Sequence, residues 1–507
     1  MSLEFLKAAA ESNQWWAITP ELVLAGTALL LLMLEIFLPR KEYRFIPLFA
    51  VAALIGALIG VILSFHSAEA GELAPLFGGL IKLSLQGQIA RIFFLVSSLL
   101  VTFLASVCLP RCRMPRVEFY HIVLVITAAA MLLAQSNHFV MFFVALETLT
   151  IGLYILVSYF RENPLTLEAG LKYLVLGSLS SGIMLFGIVL LYGAVGRVVD
   201  GGGAVHTGFE FPVLANFLQQ HPDNFLAIIG VLLVLSGVAF KIGAFPFQVW
   251  VPDVYQGAPT PVTAFLAVSS KAAGFAVLLT LVKSVFFPLQ GLLVPVLSAM
   301  AAATILYGNL SALRQRDAKR LMGLSGVSHA GFLLIGVTAS FTVPWAASAV
   351  WFYLFTYMLA SMAVFGVMAH LAGENDALQD LDSYDQLAKG KPFLAAVLAV
   401  GVGSLAGIPP LAGFMGKLLV FLAAFEAHLY GLLAFAVIGV VISIYYYFGW
   451  IKVAYFSAWK PETKSDVRPA EAGTAPNILG VAVLTTLALA TLVLGFCQTP
   501  LTSWLMK

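Results

Sequence analysis

Apolar stretches of about 20 residues, the length a bilayer core demands of a helix, follow one another along this chain some fourteen times. Their approximate spans are 19–38, 44–65, 90–109, 117–135, 137–159, 167–193, 225–250, 260–285, 290–310, 320–338, 344–371, 393–428, 430–457 and 477–497. Inside lipid every backbone amide must be satisfied within the protein, so runs of this length form helices. The expected fold is an all-α polytopic membrane protein with about 14 transmembrane helices. The run at 393–428 is too long for one crossing and has Pro409 and Pro410 in its middle, so it reads as one broken helix. Hydrophobic residues make up 61% of the chain and charged ones 10%, where a soluble domain has about a quarter charged.

Charge sets the orientation. Seventeen of the 27 lysines and arginines fall in loops after odd-numbered helices, among them Arg161, Arg314, Arg316, Lys319 and Arg320. Six lie on the other side: Lys7, Lys82, Arg91, Arg197, Lys283 and Lys507. The positive-inside rule then puts both termini on the non-cytoplasmic side. No small-residue cleavage pattern follows the first apolar run near Trp16, so no cleaved signal peptide is expected.

Four lysines and one glutamate interrupt the apolar runs: Lys172, Lys241, Lys271, Lys417 and Glu147. Each such group near a helix centre costs roughly 2.5–3.5 kcal/mol on insertion-derived scales, and residues that costly mark ion or proton paths. Burial disfavours a charged lysine and a nearby carboxylate favours it, so a Lys–Glu pair drawn together or apart is a switchable proton site. The competing reading is a static ion pair that orients helices. Lys172 lies only about five residues into its helix, close enough to the end to snorkel. His329 is a further relay candidate because imidazole titrates near neutrality, with a hydrogen bond to Ser325 or Ser328 as the alternative. His370 and Glu426, near helix ends, read as interfacial.

Two segments are alike in kind: GVAFKIGAFP at 237–246 and GIPPLAGFMGK at 407–417. Each combines glycines, proline and one lysine in an apolar stretch. Such paired interruptions in two halves of a transporter point to sites at the membrane midplane; the alternative is two ordinary proline kinks. Pro246 deprives the Ile242 carbonyl of its helical partner, and Pro409 and Pro410 do the same to Leu405 and Ala406. Carbonyls freed in this way are tolerated only against protein or a wet cavity, and a wet gap beside a lysine suits a proton carrier.

The tract KIGAFPFQVWVPDVYQGAPTPVTAFLAVSSK at 241–271 closely resembles the signature of the antiporter-like membrane subunits of respiratory complex I. Glu147 in its helix, RQRDAKR at 314–320 ahead of Ser325, Ser328 and His329, and the 407–417 segment match as well. Lys417, where the middle antiporter-like sibling has glutamate, and the tract from Asp253 to Pro261 look most like the NADH dehydrogenase subunit 2 branch. Since the chain ends soon after the last run, the long lateral extension of the distal sibling is not expected.

The resemblance implies two inverted five-helix repeats, each with a broken helix. It divides the chain into an N-terminal three-helix segment at 1–110, a first repeat at 117–285, a second at 290–457 and a last helix at 477–507. It implies proton translocation coupled to electron transfer from NADH to quinone in other subunits. Glu147 and Lys241 would form the charge pair of the first half-channel, tuned by Lys172. Lys271 would connect the halves and Lys417 would carry protons to the exit. No cofactor is expected in this chain; FMN, iron–sulfur clusters and quinone would belong to partner subunits. The partners implied are the other membrane subunits, in a bacterial inner membrane.

The remaining classes are a cation/proton antiporter subunit, which shares the lysines, and a quinone-reactive redox enzyme. Against the latter, Cys108, Cys112 and Cys497 have no cluster or zinc spacing. The glycines at 401, 403 and 407 lack the spacing of a dinucleotide fingerprint. A net charge of +2 gives no footprint for nucleic acid.

Overall fold

The computed structural model describes residues 10–37, 39, 43, 45–69, 75–110, 117–199, 205–372, 376, 379–456 and 476–506. Cys112 lies outside the described residues. After a short turn at Trp15–Ile18 come α1 (Thr19–Phe37), α2 (Ile46–Glu69), α3 (Leu85–Cys108), α4 (Val117–Leu133), α5 (Phe139–Val157) and α6 (Pro164–Val195). A two-stranded antiparallel hairpin, β1 (Arg197–Val199) and β2 (Val205–Thr207), precedes the short helix α7 (Phe211–Gln220). Next are α8 (Phe225–Ile242), α9 (Val251–Gly257), α10 (Thr260–Val285), α11 (Gln290–Ala312), α12 (Ala318–Ala339) and α13 (Ala346–Leu371). The chain ends with α14 (Pro392–Ala406), α15 (Ala412–Glu426), α16 (Tyr430–Tyr455), α17 (Ile478–Phe496) and α18 (Thr499–Leu505). Among the described residues, twelve helical stretches are long and apolar enough to cross a membrane, and the apolar α4 and α14 are shorter.

Helices α10, α12 and α13 form the interior, buried along almost their whole length. Around them α2, α6, α11, α16 and α17 turn apolar faces outward, with Leu63, Phe186, Val441 and Val493 among the exposed side chains. Small residues let the inner helices approach closely, as membrane packing requires. At Gly308 of α11 a β-carbon would stand 2.5 Å from the Ser328 amide nitrogen of α12.

Both glycine–proline segments interrupt their helices. α8 ends at Ile242 because Gly243 turns left-handed at φ +71, and α14 ends at Ala406 because Gly407 does so at φ +85. Left-handed glycine is the common way to close a helix. The second break matches the broken helix expected at 393–428. The first shortens the expected span 225–250: the chain leaves the helix before Pro246 and resumes as α9. α10 is continuous but carries π-type segments at Leu266–Ser270 and Leu281–Val285, the first directly before Lys271. Such bulges occur often at functional sites.

Arg91, expected in a loop, lies inside α3, fully buried. Its Nε donates to Glu21 of α1 at 2.7 Å and its Nη2 to the Ala17 carbonyl at 2.8 Å. α3 begins at Leu85 rather than near residue 90, which carries Arg91 inward to a carboxylate that neutralises it. The side with few basic residues is therefore poorer still in loop charge.

Candidate functional site

Lys241 is buried at the penultimate position of α8, beside the first break. Its Nζ donates to Thr150 Oγ1 at 2.8 Å. Thr150 sits on α5 one turn beyond Glu147, whose Oε1 accepts from Ser181 Oγ of α6 at 2.6 Å. The expected Glu147–Lys241 charge pair is thus not a direct contact, and no ion pair within 4.0 Å joins the two. Glu147 is only half-buried, on the helix face that exposes Val144, Ile151 and Ile155.

Lys172 is not enclosed. Its side chain is 42% exposed, near the start of α6, and binds Glu168 and Asp253 at 2.7 Å each. Asp253 lies on α9, and its other oxygen accepts from Arg320 Nη1 of α12 at 2.8 Å. One carboxylate therefore joins α6, α9 and α12. Part burial works to raise the Asp253 carboxyl, but hydrogen bonds from Lys172 and Arg320 outweigh it and hold the group below its ordinary value. The position of Lys172 near a helix end explains its exposure: a long side chain there reaches polar partners at the rim.

Lys271 follows the π-type turn of α10 and is buried. Its Nζ donates to the Gly326 carbonyl of α12 at 2.5 Å and lies 3.5 Å from Tyr357 Oη of α13. The Tyr357 ring is 4.9 Å, centroid to centroid, from the His329 ring. His329 is also buried, with Nδ1 2.8 Å from Tyr353 Oη and Nε2 3.2 Å from Tyr447 Oη. Its partners are these tyrosines of α13 and α16, not Ser325 or Ser328; the Ser325 hydroxyl donates instead to the Met322 carbonyl of its own helix at 3.0 Å.

Lys417, in the second turn of α15, reaches back across its break. Its Nζ donates to the carbonyls of Leu405 and Ala406 at 2.9 Å each. These are the two carbonyls that Pro409 and Pro410 leave unpaired, so the amine caps the open end of α14. It stands 5.2 Å from the Phe332 ring centre, one turn along α12 from His329. Gly407 leaves room for it: a β-carbon there would be 3.0 Å from Lys417 Cδ.

Two readings at helix ends divide. Glu426 is exposed and accepts from Trp345 Nε1 at 3.0 Å. His370 is buried, its Nδ1 donating to the Gly366 carbonyl at 2.8 Å, because α13 runs through the interior to its last turn.

A second buried ion pair was not anticipated. Lys319, in the first turn of α12, pairs with Asp376 and donates to the Ala258 carbonyl at 2.9 Å. Asp376 also accepts from the Thr260 amide, the first of α10, at 2.8 Å and from Gln379 at 2.8 Å. This knot ties the start of α10 to the start of α12, the two helices that meet at Lys271. It borders a cavity of about 280 Å³ that Asp317, Asn163 and Thr166 also line. The signal in sequence was Asp317, a helix cap that carries Lys319 into the helix.

Among the described residues no group of three or more His, Cys, Asp or Glu side chains could hold a metal ion. A family model described as NADH:quinone oxidoreductase/Mrp antiporter, TM matches residues 136–443. NADH-quinone oxidoreductase subunit N 1 of Opitutus terrae is 61% identical over 508 residues, covering 100% of both chains. Subunit N of Paramagnetospirillum magneticum is 35% identical over 482 residues, covering 94% of this chain and 93% of the other. A chain of respiratory complex I from Thermus thermophilus with bound aureothin superposes with a TM-score of 0.76 at 29% identity. That likeness covers 96% of this chain and 99% of the other.

Proposed function

The chain belongs to the antiporter-like membrane subunits of NADH:quinone oxidoreductase and Mrp antiporters, on the subunit N branch, and from this premise we propose a proton route along its buried lysines. As a subunit of NADH:quinone oxidoreductase it is a multi-pass membrane component of a proton-translocating enzyme. In the proposed route Glu147 and Lys241 load the first half, Lys271 links the halves through Tyr357 and His329, and Lys417 delivers protons at the second break. Lys172 acts from the rim, through Asp253.

One observation carries this reading. Lys241, Lys271 and Lys417 are all buried, and each is held by hydroxyl or carbonyl oxygen, with no carboxylate within 4.0 Å among the described residues. A static ion pair would pin its proton in place, since separating buried partners is costly. Neutral acceptors hold a lysine in position and leave its proton exchangeable. Tyrosine and histidine between Lys271 and Lys417 supply groups that donate and accept in turn.

Fourteen crossings follow if α14 and α15 form one broken span and α4 is a short one, with repeats at 117–285 and 290–457 between end segments at 1–110 and 477–507. The membrane in this proposal is a bacterial inner membrane, and the excess of basic residues in alternate loops supports placing both termini on its periplasmic side. FMN, iron–sulfur clusters and quinone belong, in this proposal, to partner subunits, and the neighbours in the membrane are other antiporter-like chains.

The test is Lys241→Ala in the assembled complex, reconstituted in liposomes. Blocked proton transfer stalls the coupled electrons, so NADH:quinone turnover and pumping fall together. Full pumping by a correctly assembled variant would remove Lys241 from the route. Sodium movement against a proton gradient by this chain alone would favour an antiporter instead.

A further inference from the structure

Lys271 directly follows the π-type turn of α10 at Leu266–Ser270. Such a turn takes up one residue more than an α-turn and occurs mostly as a single bulge. Relaxing it to the α form would rotate the chain beyond it by about 100°, one residue's share of a 3.6-residue turn. Lys271 would then swing off the Gly326 carbonyl and Tyr357. Whatever holds the bulge therefore helps to aim the lysine.

Across from the bulge stands α3, N-terminal to the residues 136–443 that the family model matches. Ser97 Oγ of α3 lies 2.7 Å from Ser269 Oγ, and both residues are buried. Ser97 donates to the Phe94 carbonyl of its own helix at 3.0 Å, so its oxygen accepts the Ser269 proton. Neighbouring contacts make α3 a fixed anchor for this pair. One turn earlier the Phe93 ring packs edge-on against Phe355 of α13, 5.1 Å between centroids. The next residue, Ser98, bonds Thr127 of α4 at 2.7 Å.

On the reading of Lys271 as the link between the halves, we propose that Ser97 is a positioning residue for proton transfer. Its hydroxyl holds Ser269, fixes the π-type turn and so aims Lys271 at Gly326 and Tyr357. In a regular helix the Ser269 hydroxyl has an alternative acceptor, the Phe265 carbonyl four residues back. Ser97 competes with that carbonyl from another helix and favours the bulge. The N-terminal helices thereby set the geometry of a lysine that lies between the two repeats.

The test measures NADH:quinone turnover and pumping by the assembled complex in liposomes, with assembly checked on native gels. Ser97→Ala should lower both about fivefold, the worth of one buried hydrogen bond. Ser269→Ala breaks the same contact from the other side and should match it, and the double variant should be no worse than either. It also carries the test if Ser97→Ala does not assemble. Ser98→Ala, which loosens α3 from α4 instead, should pump normally. Electron cryomicroscopy of Ser97→Ala should show Lys271 Nζ withdrawn from the Gly326 carbonyl. The pH profile of pumping should change shape, because Lys271 then titrates in new surroundings, whereas a packing fault would only scale it. Full pumping by Lys271→Ala would sink the relay and the role of Ser97 with it. If Lys271→Ala is inactive, wild-type rates in both serine variants, additive losses, an equal loss in Ser98→Ala or an unmoved Lys271 would overturn the role of Ser97 alone.

Discussion

Lys241 rests on the hydroxyl of Thr150, 2.8 Å away, and that hydroxyl spends its own proton on the Leu146 carbonyl. The lysine is therefore held one helical turn from Glu147 without touching it. Hydroxyls on α5 and α6 hold the two charges, one each, through Thr150 and Ser181.

Thr150→Val keeps the shape of the side chain and removes the acceptor. A hydrogen bond to a charged group is worth about 1.5–3 kcal/mol, so coupled turnover should fall roughly tenfold or more. Thr150→Ser should restore it. Proton uptake by proteoliposomes during NADH oxidation reads both variants; wild-type rates in the valine variant would show that the contact is idle.

Gly407→Ala is expected to mimic Lys417→Ala. The residue needs φ +85, and its new β-carbon would press on Lys417 Cδ at 3.0 Å. A left-handed alanine alone costs about 1–2 kcal/mol. Pumping should be largely lost while the complex still assembles, as native gel electrophoresis would reveal; normal pumping would mean that the position of Lys417 is unimportant.

Lys172→Arg should stay close to wild type because charge toward Asp253 and Glu168 is kept, and Lys172→Ala should be milder than Lys241→Ala. The Lys172–Asp253 pair is more than a third exposed, and such pairs are worth below about 1 kcal/mol. A double-mutant cycle with Asp253→Asn, read in turnover, should give a coupling no larger than that. A coupling of several kcal/mol would mean that the pair is sealed within the complex.

His138 offers a pH dependence outside the membrane spans. Its Nδ1 accepts from the Val140 amide at 3.1 Å, capping α5 ahead of Glu147. Burial holds the ring below its ordinary 6.5, with the Glu210 carboxylate opposing in part. The folded state therefore prefers the neutral ring: this stabilisation is complete above pH 6.5 and is lost as pH falls below it. Hydrogen exchange at Val140, corrected for the intrinsic pH dependence, should lose protection under acid and not in His138→Asn, which caps without titrating in this range. Unchanged protection to pH 5 would refute the assignment.

Some of the site is legible in the sequence. Lys417 was marked by its proline-interrupted segment, and the carbonyls it binds are the ones that Pro409 and Pro410 were expected to free. The burial of Lys241 and Lys271 was likewise readable from their apolar surroundings. Lys172 also interrupts an apolar run, but its nearness to a helix end signals the exposure that the structure shows. Arg91 and Lys319 read as loop charges because a window of hydropathy does not see a carboxylate brought in from a distant segment, Glu21 of α1 for the one and Asp376, between α13 and α14, for the other.

The sequence by itself determined the membrane helices, the position of each break and the depth of most costly residues. Those are local quantities: a length of apolar chain, a missing amide hydrogen, a glycine that can turn left-handed. Tertiary structure alone decided the partners, which lie 91 residues away for Lys241, 55 for Lys271 and 118 for His329 with Tyr447. Hydrogen bonds act over about 3 Å, so contacts between distant helices exist only once those helices have packed.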